Sequence, residues 1–455
     1  MKMIMKKYIK QLKFKPVLGL LAAVLVLPAC ELDEIPDPNN PTIETVLENA
    51  TVDDLNNVVV GTESGMRNVL GTYYDNVGVI GREHYRFSGA DPRFVSDLLG
   101  AGSAILDNNT FYTTNPWAAR YRVVKNTNIL IEAVDNTTLI TEEQRQGYLG
   151  FAKTIKAHQL LMNLTMMNEN GIRLDVSDFD NLGPVVGRAE AMEAIASLLD
   201  EAAGHLEAAG ESFPFELSGG FTDFQPGGGA PFNTPEGFLQ FNRALAARVA
   251  VYRENFAQAL ALLEQSFFDL NGSFREGVYY VFSTAPGDQL NPLYFAPNAT
   301  GEVRVAHPSF IADATPGDDR LSKVSRREAP ATHPSGLSSQ YDVALFATNT
   351  DPAPLIRNEE LILIYAEANI QTGNLDEAVR ALNIIRTGHG ISAYSGPVTQ
   401  EALLDEMLRQ RRYSLFFEGH RWIDMRRYER LDELPIDRTG DDVWRSFPIP
   451  FAENV

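Results

Sequence analysis

Apolar residues recur at three- and four-residue spacing along most of this chain, a period that predicts a mainly helical body. Val52, Leu55, Val58 and Val59 set the first such pattern and predict a helix over 51–73. A second helix is expected from Trp117 to about Val134, with Tyr121, Val124, Asn128 and Ile131 on one side. Thr141 and Gln144 have the spacing of a capping box and should open a helix running to about Met167. A further helix is expected over 189–209. Two later segments repeat one another. Ala247, Asn255, Phe256, Ala259 and Leu263 align at constant offset with Ala366, Asn374, Leu375, Ala378 and Leu382. Each reads as helix, short turn at Asn, helix, with small alanines that let the pair approach closely. The pattern resembles a tetratricopeptide-type hairpin, whose neighbours stack because none buries its apolar face alone. A generic antiparallel helix pair accounts for the same residues.

The pattern fails in three places. Residues 78–115 read as irregular, and 210–235 and 271–354 hold much of the Gly, Pro, Asp and aromatic content. Val278 to Phe282 alone reads as a strand there. Excursions this long from a helical body usually carry binding function. Pro448 and Pro450 keep the segment from Ser446 onward out of a helix. The expected organisation is a leader at 1–29, a stalk at 30–50, a helical body at 51–270, a loop-rich ligand-binding subdomain with few short strands at 271–353, and a C-terminal helical region at 354–455.

Composition changes the picture at the N-terminus. Six lysines and no acid precede an apolar run that ends Leu27-Pro28-Ala29-Cys30. This has the form of a secretory leader, too short to span a bilayer. Cys30 is the only cysteine in 455 residues, and it is expected to be the lipid attachment site of the processed chain. Stable tethering then needs more than one acyl chain. Glu31, Asp33, Glu34 and Asp37 among prolines describe a flexible stalk. The formal charge is −21, and loss of the leader leaves 33 basic against 60 acidic residues, or −27. A surface of that sign repels phosphate backbones, so nucleic acid is excluded as a partner.

Chemistry-bearing motifs are missing. The seven histidines are scattered, and no metal or cofactor pattern is present. There is no nucleophile elbow. A carboxylate pair of the glycosidase kind is recognised by its separation in space, which sequence does not give. What remains is aromatic residues in loops, whose flat faces suit the C–H patches of sugars. Tyr85, Tyr112, Trp117, Tyr279, Tyr280 and Tyr294 are the candidate ligand-binding side chains, each equally well explained as an anchor pinning its loop.

The C-terminal third is more specific. Pro354 to Leu361, Tyr365-Ala366-Glu367-Ala368, Asn383-Ile384-Ile385-Arg386, Arg411 to Arg427 and the Phe447 to Pro450 ending together resemble the SusD/RagB family, and Gly317-Asp318-Asp319-Arg320 is similar to a shorter motif of that family. Gln410 stands where the family often has Glu. On physical grounds Arg357, Glu360, Glu367, Arg411, Glu418 and Arg421 are expected to form a structural ion-pair lattice, with Glu418 and Arg421 three apart on one helical face. The resemblance implies a lipid-anchored protein at the cell surface of the outer membrane. It implies non-catalytic capture of an oligosaccharide or other nutrient and delivery to a TonB-dependent, SusC-like transporter. A surface polysaccharide hydrolase and a structural helical-repeat adaptor are the competing readings.

Overall fold

The computed structural model describes residues 43–454 apart from 179 and 225–230. Cys30, the leader and the acidic stretch lie outside the described residues. Helix starts earlier than expected, because α1 (Ile43–Asn49) docks Val46 on the core and Asn136 donates to the Leu47 carbonyl.

The helix expected over 51–73 is two helices, α2 (Val52–Met66) and α3 (Leu70–Ile80), broken at Val69 with φ 58°. The break has a partner. Buried Arg120 donates to the Met66 carbonyl at 2.8 Å and to the Asn68 carbonyl, which the interrupted ladder leaves free. Within the region expected to be irregular, α3 continues to Ile80, then β1 (His84–Ser88) and a single turn α4 (Arg93–Ser96) follow. Residues His84 to Phe87 are buried on both faces, so the strand carries no alternation to read.

Helix α5 (Phe111–Asn136) begins six residues before Trp117 and contains Pro116. Proline cannot donate to the carbonyl four residues back. The Tyr112 carbonyl is satisfied instead by the Asn76 amide at 2.6 Å. Helix α6 (Glu142–Met167) opens with both bonds of the Thr141–Gln144 capping box. A short β2–β3 ribbon (Ile172–Arg173, Val185–Val186) leads to α7 (Arg188–Glu207).

The repeated segments are helix pairs: α8 (Pro235–Tyr252) with α9 (Phe256–Leu263), and, further on, α11 (Asn358–Thr372) with α12 (Leu375–Gly388). Each helix packs on the next, α5 on α6, α6 on α7, α7 on α8, α8 on α9, α9 on α11 and α11 on α12. The stack is of the tetratricopeptide type, with Ala247, Ala259, Ala366 and Ala378 fully buried where the helices meet. Helix α13 (Gln400–Ser414) closes a second core around Ile362, Leu382, Leu403 and Met407. Helix α14 (Arg421–Arg427) ends the helical series.

Between the pairs runs the strand-bearing segment. Strands β4 (Gly277–Tyr280) and β8 (Ala353–Arg357) pair antiparallel, with the register slipping between Val278 and Tyr279. Strands β5 (Glu302–Ala306), β6 (Val324–Thr332) and β7 (Ser338–Val343) join β1 in the order β1-β5-β7-β6, and α10 (Pro308–Ala312) follows β5. The sheet therefore ties a distant N-terminal strand to the segment after residue 271. Ser446 to Pro450 is non-helical. Among the described residues no helix is long and apolar enough to cross a membrane.

Candidate functional site

A groove of about 850 Å³ opens where β4, the turn before it, the Asp318 loop and the 344–354 loop converge. Its position follows from the strand pairing. Gly277 lies with φ 159°, and a Cβ there would sit 2.2 Å from the Ile356 carbonyl, so glycine lets β4 close on β8. Gly220 packs the same way beneath Tyr279, where a Cβ would meet the Tyr279 carbonyl at 2.0 Å.

Aromatic rings line the groove. Phe224 and Tyr279 lie 4.2 Å apart between centroids, and the Tyr279 hydroxyl donates to the Arg275 carbonyl at 2.7 Å. Phe274 packs on the His389 ring at 5.2 Å. Phe346 completes the lining. The floor is charged. Arg357 holds Glu418 through two bonds, of 2.7 and 3.1 Å, and also pairs with Glu359. Both nitrogens of His389 stand 2.7 Å from carboxylates, Nδ1 from Asp319 and Nε2 from Glu359. Burial alone would raise the Glu359 carboxyl, but the Arg357 guanidinium outweighs it and holds the group well below the usual carboxylate range. Lys323 is pushed down to about 8 by burial, partly offset by Glu418 at 4.0 Å. Its ammonium donates to the Tyr413 carbonyl at 2.9 Å.

Of the aromatics singled out from sequence, only Tyr279 lines this groove. Tyr85 is buried against Phe87 and His307. Tyr112 is fully buried; its hydroxyl donates to Asp97 and accepts from the Asp107 amide. Trp117 is buried with its indole N–H on Glu453 at 2.9 Å. Tyr280 is buried beside a small cavity of about 40 Å³. Tyr294 is half-buried, packed on the main core. These five side chains hold loops and helices together rather than sharing one surface.

Five of the six expected ion-pair residues find partners, though not in the expected pairs, while Arg421 stands outside the lattice with no ion pair among the described residues. Helix α13 ends at Ser414, and Phe417 and Gly419 take left-handed backbones, so Glu418 and Arg421 do not share a helix. Glu418 turns instead to Arg357. Glu360 receives two bonds of 2.6 Å from Arg248, Glu367 receives Arg427 at 2.8 Å, and Arg411 meets Asp424 at 2.6 Å. Burial would raise the Glu360 carboxyl; Arg248, with His420, holds it at about 2. Gln410, at the position where a glutamate was expected, accepts from Arg320 and donates to Glu406, both at 2.7 Å, a double role an ionised glutamate cannot fill. Arg248, Asp424 and Arg427 were not picked out from sequence: Arg248–Glu360, Arg427–Glu367 and Arg411–Asp424 join different helices, although the Asp424–Arg427 pair, three apart on α14, had readable spacing. Asp319 and His389 were visible only as one motif position and one scattered histidine. Among the described residues no group of three or more His, Cys, Asp or Glu is placed to hold a metal ion.

Residues 340–446, which supply the 344–354 wall, Arg357, Glu359, His389 and Glu418, match the SusD family. No curated protein matches the chain. Several solved structures share its fold. A SusD superfamily protein from Bacteroides vulgatus superposes with TM-score 0.65 at 18% identity, covering 89% of this chain and 96% of that one. Surface glycan-binding protein A from Bacteroides uniformis gives 0.66 at 16%, covering 89% and 97%. Surface glycan-binding protein A from Bacteroides thetaiotaomicron, in complex with laminarihexaose, gives 0.67 at 15%, covering 89% and 97%.

Proposed function

From a SusD-type fold that carries a SusD-family segment over residues 340–446, we propose that this chain is a non-catalytic binder of oligosaccharide at the cell surface, which hands its ligand to an outer-membrane transporter. The observation that carries the reading is the 850 Å³ groove, with Tyr279, Phe224 and Phe274 as apolar faces above a floor of fixed hydrogen-bonding groups. Sugar rings need that combination of flat contact and directional polarity. Residues 272–279 and 319–354 form most of its walls, which supports 271–353 as the ligand-binding segment. A glycan-binding neighbour of the same fold, solved with laminarihexaose, adds weight to carbohydrate as the ligand class.

Binding without chemistry is favoured by the state of the carboxylates. Glu359 and Glu418 share Arg357, Asp319 is held by His389, and Asp351 accepts the amides of Ala347 and Thr348. A general acid needs a carboxyl kept protonated, whereas Arg357 holds Glu359, and bonds from Thr348 and Ala347 hold Asp351, below the usual carboxylate range. Tethering through an acylated Cys30 would hold the groove at the membrane and beside a TonB-dependent, SusC-like transporter. Titration calorimetry against a panel of neutral oligosaccharides, laminarihexaose among them, tests the ligand. Tyr279→Ala should weaken the best binder by about tenfold, on the scale of one lost stacking ring. Binding that is indifferent to Tyr279→Ala, or release of reducing ends by the purified protein, would overturn the reading.

A further inference from the structure

A second groove, of about 940 Å³, lies between α10, the Tyr394 turn, α13 and α14. Arg409, Arg412, Arg421 and Arg430 line it, in a chain whose formal charge is −21. Its acids are already committed. Asp313 pairs with Arg412 at 2.9 Å, Asp405 pairs with Arg430, Glu433 lies 3.8 Å from Arg430, and Glu406 pairs with Arg386. Two guanidiniums are left over. Arg409 reaches only the Asp313 carbonyl, at 2.5 Å, and Arg421 has neither an ion pair nor a hydrogen bond among the described residues.

The acids beneath Arg421 do not neutralise it. Asp424 is taken by Arg411 and Arg427. Glu83 is buried and pushed up to about 8, so at neutral pH it is mostly uncharged. Burial, reinforced by the nearby Arg412 charge, lowers Arg421 to about 10, and Glu83, Asp424 and Glu433 offset this only in part, which marks a cation held in place with incomplete compensation.

We propose that this groove is a second ligand site, selective for an oxyanion carried on a sugar, either a uronate carboxylate or a sulfate ester, with Arg421 and Arg409 as its receptors. Arginine suits both groups because its planar fork of donors matches their paired oxygens. A cavity of this size takes two or three sugar units, which favours a small ligand over a flat protein contact. The Tyr394 ring lies on the same wall. This site shares no lining residue with the Tyr279 groove, so either can fail alone.

Calorimetry on the purified protein with a trigalacturonate, a sulfated disaccharide and a neutral galactose trisaccharide decides the matter and separates the two anion sources. The expected result is binding of at least one acidic probe, absent for the neutral one and unaffected by Tyr279→Ala. Arg421→Gln should weaken it by about tenfold to a hundredfold, the scale of one charged hydrogen-bonding group. Arg409→Gln, at the groove rim, should weaken it too, and decides the case if Arg421→Gln does not fold. Equal binding of acidic and neutral probes, no binding of either acidic probe at millimolar concentration, affinity unchanged in both variants, or capture of an acidic peptide alone would overturn the proposal.

Discussion

At the scale of single residues, two buried carboxyls pull stability in opposite directions with pH. Glu360 has a folded value of about 2, against an ordinary 4.5. Its stabilisation is present above the unfolded value and is lost as pH falls from there through about 2. Glu83 is the reverse case, because burial raises it to about 8, and the Phe417 amide at 3.2 Å with the nearby Arg421 and Lys323 charges only partly offsets that. Its folded form keeps a proton that the unfolded chain releases, so its contribution to stability falls as pH rises from about 4.5 to about 8. Glu83→Gln should therefore melt higher than the parent at pH 8 and close to it at pH 4, measured by calorimetric scans across that range. Arg248→Met should cost about 3–5 kcal/mol, because it strands the Glu360 carboxylate with only His420, 3.7 Å away. Replacing Glu360 by Gln in that background should recover part of the loss. The ionic residues were legible in sequence as a dense alternation of charge with aromatic and aliphatic positions. Their pairing was not, since it runs between helices: Arg248 lies 112 residues from Glu360.

At the scale of elements, helix ends explain both what could be read and what could not. The Thr141 box was readable because its two bonds span three residues. The breaks at Val69 and the continuation through Pro116 were not, because Arg120 and Asn76 satisfy the freed carbonyls from elsewhere in the chain. Two helix exits carry an avoidable strain. Helix α8 ends with the Asn255 amide on the Ala250 carbonyl at 2.9 Å, and α14 with the Arg430 amide on the Met425 carbonyl at 2.7 Å. This six-to-one closure places a left-handed residue just before each donor, Glu254 at φ 60° and Glu429 at φ 56°. Glycine is at home there and glutamate is not. Glu254→Gly and Glu429→Gly should each stabilise by up to about 1 kcal/mol, partly offset by the greater freedom of glycine in the unfolded chain. Denaturant midpoints measure each shift, and the double variant should depart from the sum, since Glu254 and Glu429 line one groove and Arg427 at the α14 exit donates to the Val251 carbonyl at the α8 exit. The opposite substitution belongs at Gly220, which packs against the Tyr279 carbonyl. Gly220→Ala should displace β4 and weaken ligand in the Tyr279 groove while leaving the Arg421 groove unchanged.

At the scale of the whole molecule, charge sets the terms on which any ligand arrives. Helical periodicity and the C-terminal motifs made the architecture readable, because those signals are local and repeated. The groove was not, because its lining comes from residues 224, 272–279, 319–323, 344–359, 389 and 418, which no window of sequence joins. The field of a chain with formal charge −21 reaches far at low ionic strength and is confined to a Debye length of about 8 Å at physiological salt. A neutral oligosaccharide in the Tyr279 groove is blind to that field, so its association and dissociation rates should hardly change between 10 and 150 mM salt. An oxyanionic sugar bound at Arg421 meets two opposed effects. The distant surface repels it, and salt removes that barrier; the guanidinium attracts it at contact, and salt weakens that attraction much less because the side chain is recessed. Its association rate should therefore rise with salt over this range, against the usual trend for ion pairing, while its dissociation rate rises only modestly. Surface plasmon resonance on the two ligand classes checks the contrast, and a falling association rate for the acidic probe would mean that the local arginines, not the whole surface, govern its approach.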